Sequence, residues 1–238
     1  MNLPKSLGID VYFDGANIDD MARRAEEGFV KGFTTNPTLM AKAGIRDYEA
    51  FAKEALKRIP ELPISFEVFS DDLPSMKEQA LRIASWGKNV FVKIPVSNTK
   101  GERTVALVQD LLREGAKLNI TAVFTHDQVR ALAEVFDQKS NVIVSIFAGR
   151  IADTGVDPIP HMIEAKKILS NSPGAKLLWA SPREVLNIYQ AAECGCEIIT
   201  VTEDLLKKLS FRNKDLNEFS LETVKVFYND AQSAGFQL

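Results

Sequence analysis

Cysteine is nearly missing from this 238-residue chain, where Cys194 and Cys196 are the only two. A Cys-Gly-Cys is too tightly spaced for an ordinary disulfide framework and lacks the second pair that a zinc site would use. Both thiols are therefore expected to be ordinary buried or half-buried side chains. Histidine is equally scarce: His126 and His161 stand alone, which supports neither a histidine-rich metal centre nor a histidine-based nucleophilic triad. No apolar run approaches the ~18 residues of a membrane span, and the leading segment Met1–Asp10 holds one lysine and no apolar stretch of signal-peptide length. The expectation is a cytoplasmic protein without membrane contact. Nor does one sign of charge dominate. With 29 basic against 32 acidic side chains the net charge is −3, which argues against a general affinity for nucleic acid but leaves room for an anionic substrate in a locally basic pocket.

What is present is a repeating alternation. Eight short segments rich in β-branched and aromatic residues run through the chain: Val11–Asp14, Gly32–Thr35, Ile64–Phe69, Asn89–Val96, Leu118–Phe124, Asn141–Ala148, Lys176–Ser181 and Glu197–Thr202. Between and after them lie helix-like segments: Ile18–Phe29, Tyr48–Ile59, Leu73–Trp86, Glu102–Glu114, His126–Phe136, Pro158–Leu169, Pro182–Ala192 and Glu203–Leu209. Thr125, Pro182 and the pair Asp19 and Asp20 mark helix starts, and Gly115 marks a stop. Eight such units predict an α/β fold, a (β/α)8 barrel formed as one domain over residues 1–238, whereas an open doubly wound sheet more often has five or six strands. A further apolar-periodic segment lies near residues 215–236, with Phe219, Leu221, Val224, Phe227 and Tyr228 on it. It is expected either to pack on its own barrel or to meet another subunit.

Strands covered on both faces should be apolar throughout, so polar side chains inside them call for a reason. Lys93 sits within NVFVKIPV, where a lysine is almost never buried without a partner or a task. Removing an ammonium from water favours the neutral amine, which is the form that attacks a carbonyl. Glu67 lies in SFEVF, and Asn119 and Thr121 lie in LNITAVF. Period-two alternation places Ser65, Glu67 and Phe69 on one face and Asn119, Thr121 and Val123 on another, so that Glu67, Lys93 and Thr121 meet if those faces point inward. Asp14 ends the first strand and Asn36 follows the second, at the rim where barrel enzymes carry their sites. A helix cap for Asp14 and a turn role for Asn36 before Pro37 are the structural alternatives. Arg150 follows strand six, and Ser181 and Arg183 straddle the predicted helix start in ASPRE. A helix N-terminus, a hydroxyl and two guanidinium groups would make a phosphate cradle.

These segments resemble the transaldolase family, including its short relatives the fructose-6-phosphate aldolases. The likeness runs from VYFDGAN (Val11–Asn17) through TTNPTL, FEVF, VKIPV, NITAVF, SIFAGRI and ASPRE to ITV (Ile199–Val201), and TTNP followed by VKIP is its most specific part. The resemblance implies that Lys93 forms a Schiff base with a ketose phosphate and that Asp14 moves the proton of the sugar hydroxyl. It implies further that Glu67 and Thr121 position a proton-shuttling water. Asn36, Asn119, Ser145 and Phe147 would line the sugar site, and Arg150, Ser181 and Arg183 would hold the phosphate. No metal or organic cofactor is required. Compact relatives form rings of five or ten subunits, so a homo-oligomer is expected. Glu67 and Phe147 resemble the transferase branch, in which a dihydroxyacetone unit passes between sugar phosphates of the non-oxidative pentose phosphate pathway. The aldolases tend to carry glutamine and tyrosine there. The short length resembles the aldolase branch, and Gly15 stands where several relatives have threonine. A catalytically silent barrel that binds a phosphorylated metabolite is the alternative from another class.

Overall fold

Strands and helices alternate along residues 7–237, which the computed structural model describes; residues 1–6, part of the leading segment considered above, and Leu238 lie outside them. The strands are β1 (Asp10–Asp14), β2 (Gly32–Thr34), β3 (Ile64–Glu67), β4 (Val90–Pro95), β5 (Leu118–Val123), β6 (Val142–Ile146), β7 (Ala175–Trp179) and β8 (Ile198–Val201). Each pairs in parallel with the next, and β8 returns to β1, so the eight strands close into a barrel. Closure leaves no strand edge unpaired.

Alternation along the strands separates two apolar layers. Phe33, Phe66, Val92, Ile94, Ile120 and Val144 point outward into the main core against the helices. Tyr12, Phe91, Ile143, Leu178 and Ile198 form a separate inner cluster, which fills the lower part of the barrel with side chains. Gly32 makes this filling possible, because a Cβ there would lie 2.5 Å from Cζ of Tyr12. The Tyr12 ring takes the space that a side chain at position 32 would need. Burial, with Asp10 nearby, pushes the Tyr12 phenol well above its ordinary range, so it stays an uncharged part of the plug.

The helices are α1 (Ile18–Glu26), α2 (Pro37–Lys42), α3 (Tyr48–Arg58), α4 (Leu73–Ala84), α5 (Val105–Arg113), α6 (His126–Ala133), α7 (Ala148–Asp153), α8 (Pro158–Ile168), α9 (Leu186–Glu193), α10 (Glu203–Lys208) and α11 (Leu216–Ala234). Their starts follow from side-chain acceptors that satisfy otherwise orphaned amides. Asn17, Asn36, Asp47, Asp72 and Asp157 each cap a first turn, and Thr125 forms a reciprocal capping box with Gln128.

Several expected boundaries move. The helices α2 and α7 are additions that the alternation did not predict. Strand six ends at Ile146 instead of running to Ala148, which opens α7. The helix expected from Glu102 begins at Val105, because Oδ1 of Asn98 accepts from the amides of Lys100 and Glu102 and holds that stretch as a turn. Strand three ends at Glu67, and Phe69, expected to face inward, is 66% exposed. Val123 also departs from the expected face. The register between β5 and β6 shifts between Ile120 and Val123, and Ala122 sits at φ 57°, so the inward alternation stops at Thr121 and Val123 joins the outer core.

The terminal helix α11 spans almost the predicted range, capped by Asp215 and ended by Gly235 at φ 67°. Of the two packing alternatives, cover for its own barrel fails, since none of its residues is buried. Its base is fastened among the described residues: Phe219 meets Phe211 at 5.4 Å, and the Lys214 ammonium lies over both rings and pairs with Glu222. Leu221, Val224, Phe227 and Tyr228 remain exposed. Among the described residues, no helix is long and apolar enough to cross a membrane.

Candidate active site

A cavity of about 500 Å3 opens at the C-terminal ends of the strands, within the usual range for small-molecule sites. Of the residues singled out from the sequence, Asp14, Asn36, Glu67, Lys93, Thr121, Ser145, Phe147, Arg150, Ser181 and Arg183 line it. Asn119 does not. It lies fully buried, donating to the Ser65 hydroxyl at 3.0 Å and accepting from the Ser145 hydroxyl at 2.6 Å. Its amide thereby sets Ser145, which does reach the cavity.

Register explains the central group. Glu67 pairs with Lys93 across β3 and β4, and Lys93 pairs with Asn119 across β4 and β5. All three therefore share one level, and Thr121, opposite Pro95, stands two residues nearer the mouth. The buried Lys93 Nζ lies 3.1 Å from Oε2 of Glu67 and donates to the Thr35 carbonyl at 3.0 Å. A buried cation held by one carboxylate and one carbonyl is electrostatically matched. Tyr48 donates to the Glu67 carbonyl at 2.7 Å and ties that strand end to α3. Thr121 Oγ1 is buried and has no hydrogen-bond partner among the described residues. Its donor and acceptor capacity is open to whatever fills the cavity.

Opposite Lys93, Asp14 accepts a 2.7 Å hydrogen bond from the Thr34 hydroxyl, which lies 2.5 Å from the Thr200 hydroxyl. Burial pushes the Asp14 carboxyl above the usual carboxylate range, opposed by the positive Lys93 and by the Thr34 hydrogen bond. Asn36 proves to be a helix cap: its Oδ1 accepts from the Leu39 amide at 2.9 Å, which leaves the side-chain NH2 as its donor. Thr34 and Thr200 were not singled out from the sequence, because hydroxyls are readily tolerated in strands and neither carries charge.

The end where phosphate binding is expected differs from the predicted pattern in where its helix starts. Helix α9 starts at Leu186 instead of Pro182, because Oδ1 of Asn187 accepts from the amides of both Arg183 and Glu184 and holds Pro182–Val185 outside the helix. Those two amides are thus satisfied within the protein. Arg183 is paired with Asp153, its Nε lying 3.0 Å from Oδ1, and this pairing holds the Asp153 carboxyl low. Arg150 is exposed and stacks on Phe147, its guanidinium carbon 5.2 Å from the ring centre. Ser181 takes φ 56°. Its backbone packs against Gly149, where a Cβ would meet the Ser181 carbonyl oxygen at 1.6 Å. Bare backbone at 149 lets α7 lie against the loop after β7, a signal present in the sequence but not read from it.

Among the described residues, no group of three or more His, Cys, Asp or Glu side chains is gathered as a metal ion would need. Both cysteines are buried and unpaired with each other, and burial pushes the Cys194 thiol up to about 11 and Cys196 higher still. Neither is poised as a nucleophile.

Residues 11–238 match the family model described as transaldolase/fructose-6-phosphate aldolase. A "probable transaldolase 2" of Listeria monocytogenes is 36% identical over 199 residues, covering 83% of this chain and 87% of that protein. A "probable transaldolase" of Dehalococcoides mccartyi is 33% identical over 202 residues, covering 84% and 89%. Among solved structures, a putative lyase/mutase from Burkholderia cenocepacia aligns with TM-score 0.61 at 13% identity, covering 87% of this chain and 84% of that one. The tryptophan synthase A-subunit of Pyrococcus furiosus aligns with TM-score 0.58 at 14% identity, covering 89% and 94%. At such identities these structures share the barrel fold alone.

Proposed function

The chain belongs to the transaldolase/fructose-6-phosphate aldolase family, and from that premise we propose that it transfers a dihydroxyacetone unit between sugar phosphates through a Schiff base on Lys93. The observation that carries this reading is the buried Lys93 amine, lining a cavity of about 500 Å3 and 3.1 Å from Glu67. An isolated buried ammonium would be strongly disfavoured. With Glu67 beside it, the amine can give up a proton locally and attack the C2 carbonyl of a ketose phosphate such as fructose 6-phosphate or sedoheptulose 7-phosphate. Glu67 and Thr121 position the water that carries protons as the carbinolamine loses its hydroxyl and becomes an iminium.

Asp14 then takes the proton of the C4 hydroxyl. That O–H electron pair forms the carbonyl of the departing aldose, the C3–C4 bond breaks, and its electrons pass to the iminium nitrogen to give an enamine. Condensation with a second aldose phosphate, such as erythrose 4-phosphate, runs these steps backward, with Asp14 returning the proton. Asn36 and Ser145 hold sugar hydroxyls, with Asn119 setting Ser145, and Phe147 walls the site. Arg150, Ser181 and Arg183 hold the phosphate, and Arg183 must share its charge between that phosphate and Asp153. We read the whole chain as one catalytic domain that assembles as a homo-oligomer. The exposed apolar side chains of α11 support that reading, since such a surface marks a contact site in soluble proteins.

Borohydride reduction in the presence of fructose 6-phosphate should fix the three-carbon unit on Lys93, and Lys93→Ala should lose both this label and transfer. Turnover retained in Lys93→Ala would remove the mechanism. Dihydroxyacetone release with and without erythrose 4-phosphate separates transfer from free aldol cleavage. Glu67 and Phe147 support transfer, so little release is expected while acceptor is present. Binding of sugar phosphate with no trapped adduct would instead identify a silent binding barrel.

A further inference from the structure

We infer that Thr200 is a positioning residue for Asp14, acting through Thr34, as the far end of a hydroxyl chain that can run in either direction. This rests on the reading of Asp14 as the base of cleavage and the acid of condensation. The geometry is a line of three groups from three neighbouring strands. The Thr34 hydroxyl of β2 lies 2.7 Å from the Asp14 carboxylate of β1 and 2.5 Å from the Thr200 hydroxyl of β8. Thr34 and Thr200 are 2% and 6% exposed, so their hydrogen bonds are sheltered from solvent. Thr200 pairs with Tyr12 in the register of β1 and β8, where the apolar plug ends, and it lines the cavity.

Proton counting gives the chain its direction. A carboxylate only accepts, and each hydroxyl has one proton to give. While Asp14 is ionised, Thr34 donates to Asp14, and Thr200 must then donate to Thr34. Once Asp14 has taken a proton it can donate to Thr34, which turns and donates to Thr200. Two hydroxyl rotors move, no heavy atom shifts, and no proton leaves the chain. Asp14 thus keeps a hydrogen bond in both protonation states, as a group that alternates between base and acid requires. Thr200 gives the Thr34 proton an acceptor when Asp14 donates, and the Thr200 proton then turns toward the cavity that it lines.

Other groups near Asp14 cannot substitute. Lys93 on β4 and Glu67 on β3 face it across the barrel and already hold each other. Lys42 of α2, Arg150 of α7 and Arg183 beyond β7 stand at the cavity wall. The strands flanking β1 offer hydroxyls and no ionisable side chain at this level, and Tyr12 below belongs to the plug.

Thr200→Val keeps shape and removes the end hydroxyl; Thr200→Ser restores it. With the full-length protein, fructose 6-phosphate as donor and erythrose 4-phosphate as acceptor, kcat of Thr200→Val should fall about tenfold, a part of the usual acid–base contribution, with KM changed by less than about twofold. The acidic limb of its kcat profile should move to higher pH, since the Asp14 carboxylate loses support, and Thr200→Ser should recover both rate and limb. A parent-like profile in Thr200→Val, or Thr200→Ser as slow as Thr200→Val, overturns the inference. If Thr200→Val does not fold, Thr200→Ala against Thr200→Ser carries the same two expectations. Borohydride labelling of Lys93 is run alongside. An unlabelled parent sinks the functional reading itself, whereas a labelled parent with coincident profiles sinks only the hydroxyl chain.

Discussion

Set between the Thr34 hydroxyl and the Lys93 amine, the Asp14 carboxyl has lost most of its water, and its protonation equilibrium is pushed up as a result. A carboxyl with a raised folded-state pKa contributes stability that is fully present below the ordinary carboxylate range and is lost as pH rises through the raised value. Once ionised, Asp14 therefore works against the fold. Asp14→Asn should stabilise the protein by about 1 kcal/mol on the alkaline side of that titration, a gain typical of relieving a functional compromise, while cleavage is lost. Thermal unfolding followed against pH checks it, and the gain should vanish in acid, where Asp14 is itself neutral. At this scale, legibility in the sequence followed charge. Lys93 and Glu67 stood out because ionised groups inside apolar strands are costly, and they proved to be partners. Thr34 and Thr200 passed unnoticed because a hydroxyl costs a strand little and its partner lies on a strand remote in sequence.

At the scale of elements, closure of the barrel depends on more than the β1–β8 ladder. Arg24 of α1, 4% exposed, donates through Nε and Nη2 to the two oxygens of Glu203 at the start of α10, at 3.0 and 2.7 Å, and through Nη1 to Glu27. This fork joins the first helix to the eighth βα unit. Glu203→Ala should cost about 2 kcal/mol, less than the full penalty of breaking a buried pair because Glu27 still partners Arg24. Denaturant titration measures it. Hydrogen bonding from Arg24 holds the Glu203 carboxyl below its usual range. Its contribution is therefore present above the ordinary carboxylate range and lost as pH falls through the lowered value, so parent and variant should converge in acid. Helix and strand order was readable because Asn, Asp and Thr caps announce the starts locally. The short α2 and α7 were not, since six residues hold too little periodicity to separate from a loop. Nor was the late start of α9, which depends on a side chain reaching back from Asn187 to two amides. Bulged backbone at Ala122 likewise defeats a period-two count.

For the molecule as a whole, α11 is the part that its own barrel does not explain. A helix with Phe227 and Tyr228 at 67% and 64% exposure leaves in water a surface that burial would stabilise, about 25 cal/mol for each Å2 covered. On the homo-oligomer reading, Phe227→Asp should weaken subunit association at least tenfold, about the effect of losing one central aromatic contact. The barrel's own melting temperature should change little, because that side chain is exposed and lies outside the core. Sedimentation velocity across a concentration series distinguishes this from an unchanged mass. The periodicity of the segment was visible in the sequence, but its partner was not, because an amphipathic pattern names an apolar face without saying what covers it.

The plug of Tyr12, Phe91, Ile143, Leu178 and Ile198 fills the barrel below the cavity and turns it into a cup. On the transfer reading, donor, departing aldose and incoming acceptor would all use the mouth at the C-terminal ends of the strands. On that reading the first aldose would leave before the second comes in, and the three-carbon fragment would wait on Lys93 in the meantime. A wall of aromatic and branched side chains, whose evident task is to fill space, would in this way also dictate the order in which the two sugars take their turns.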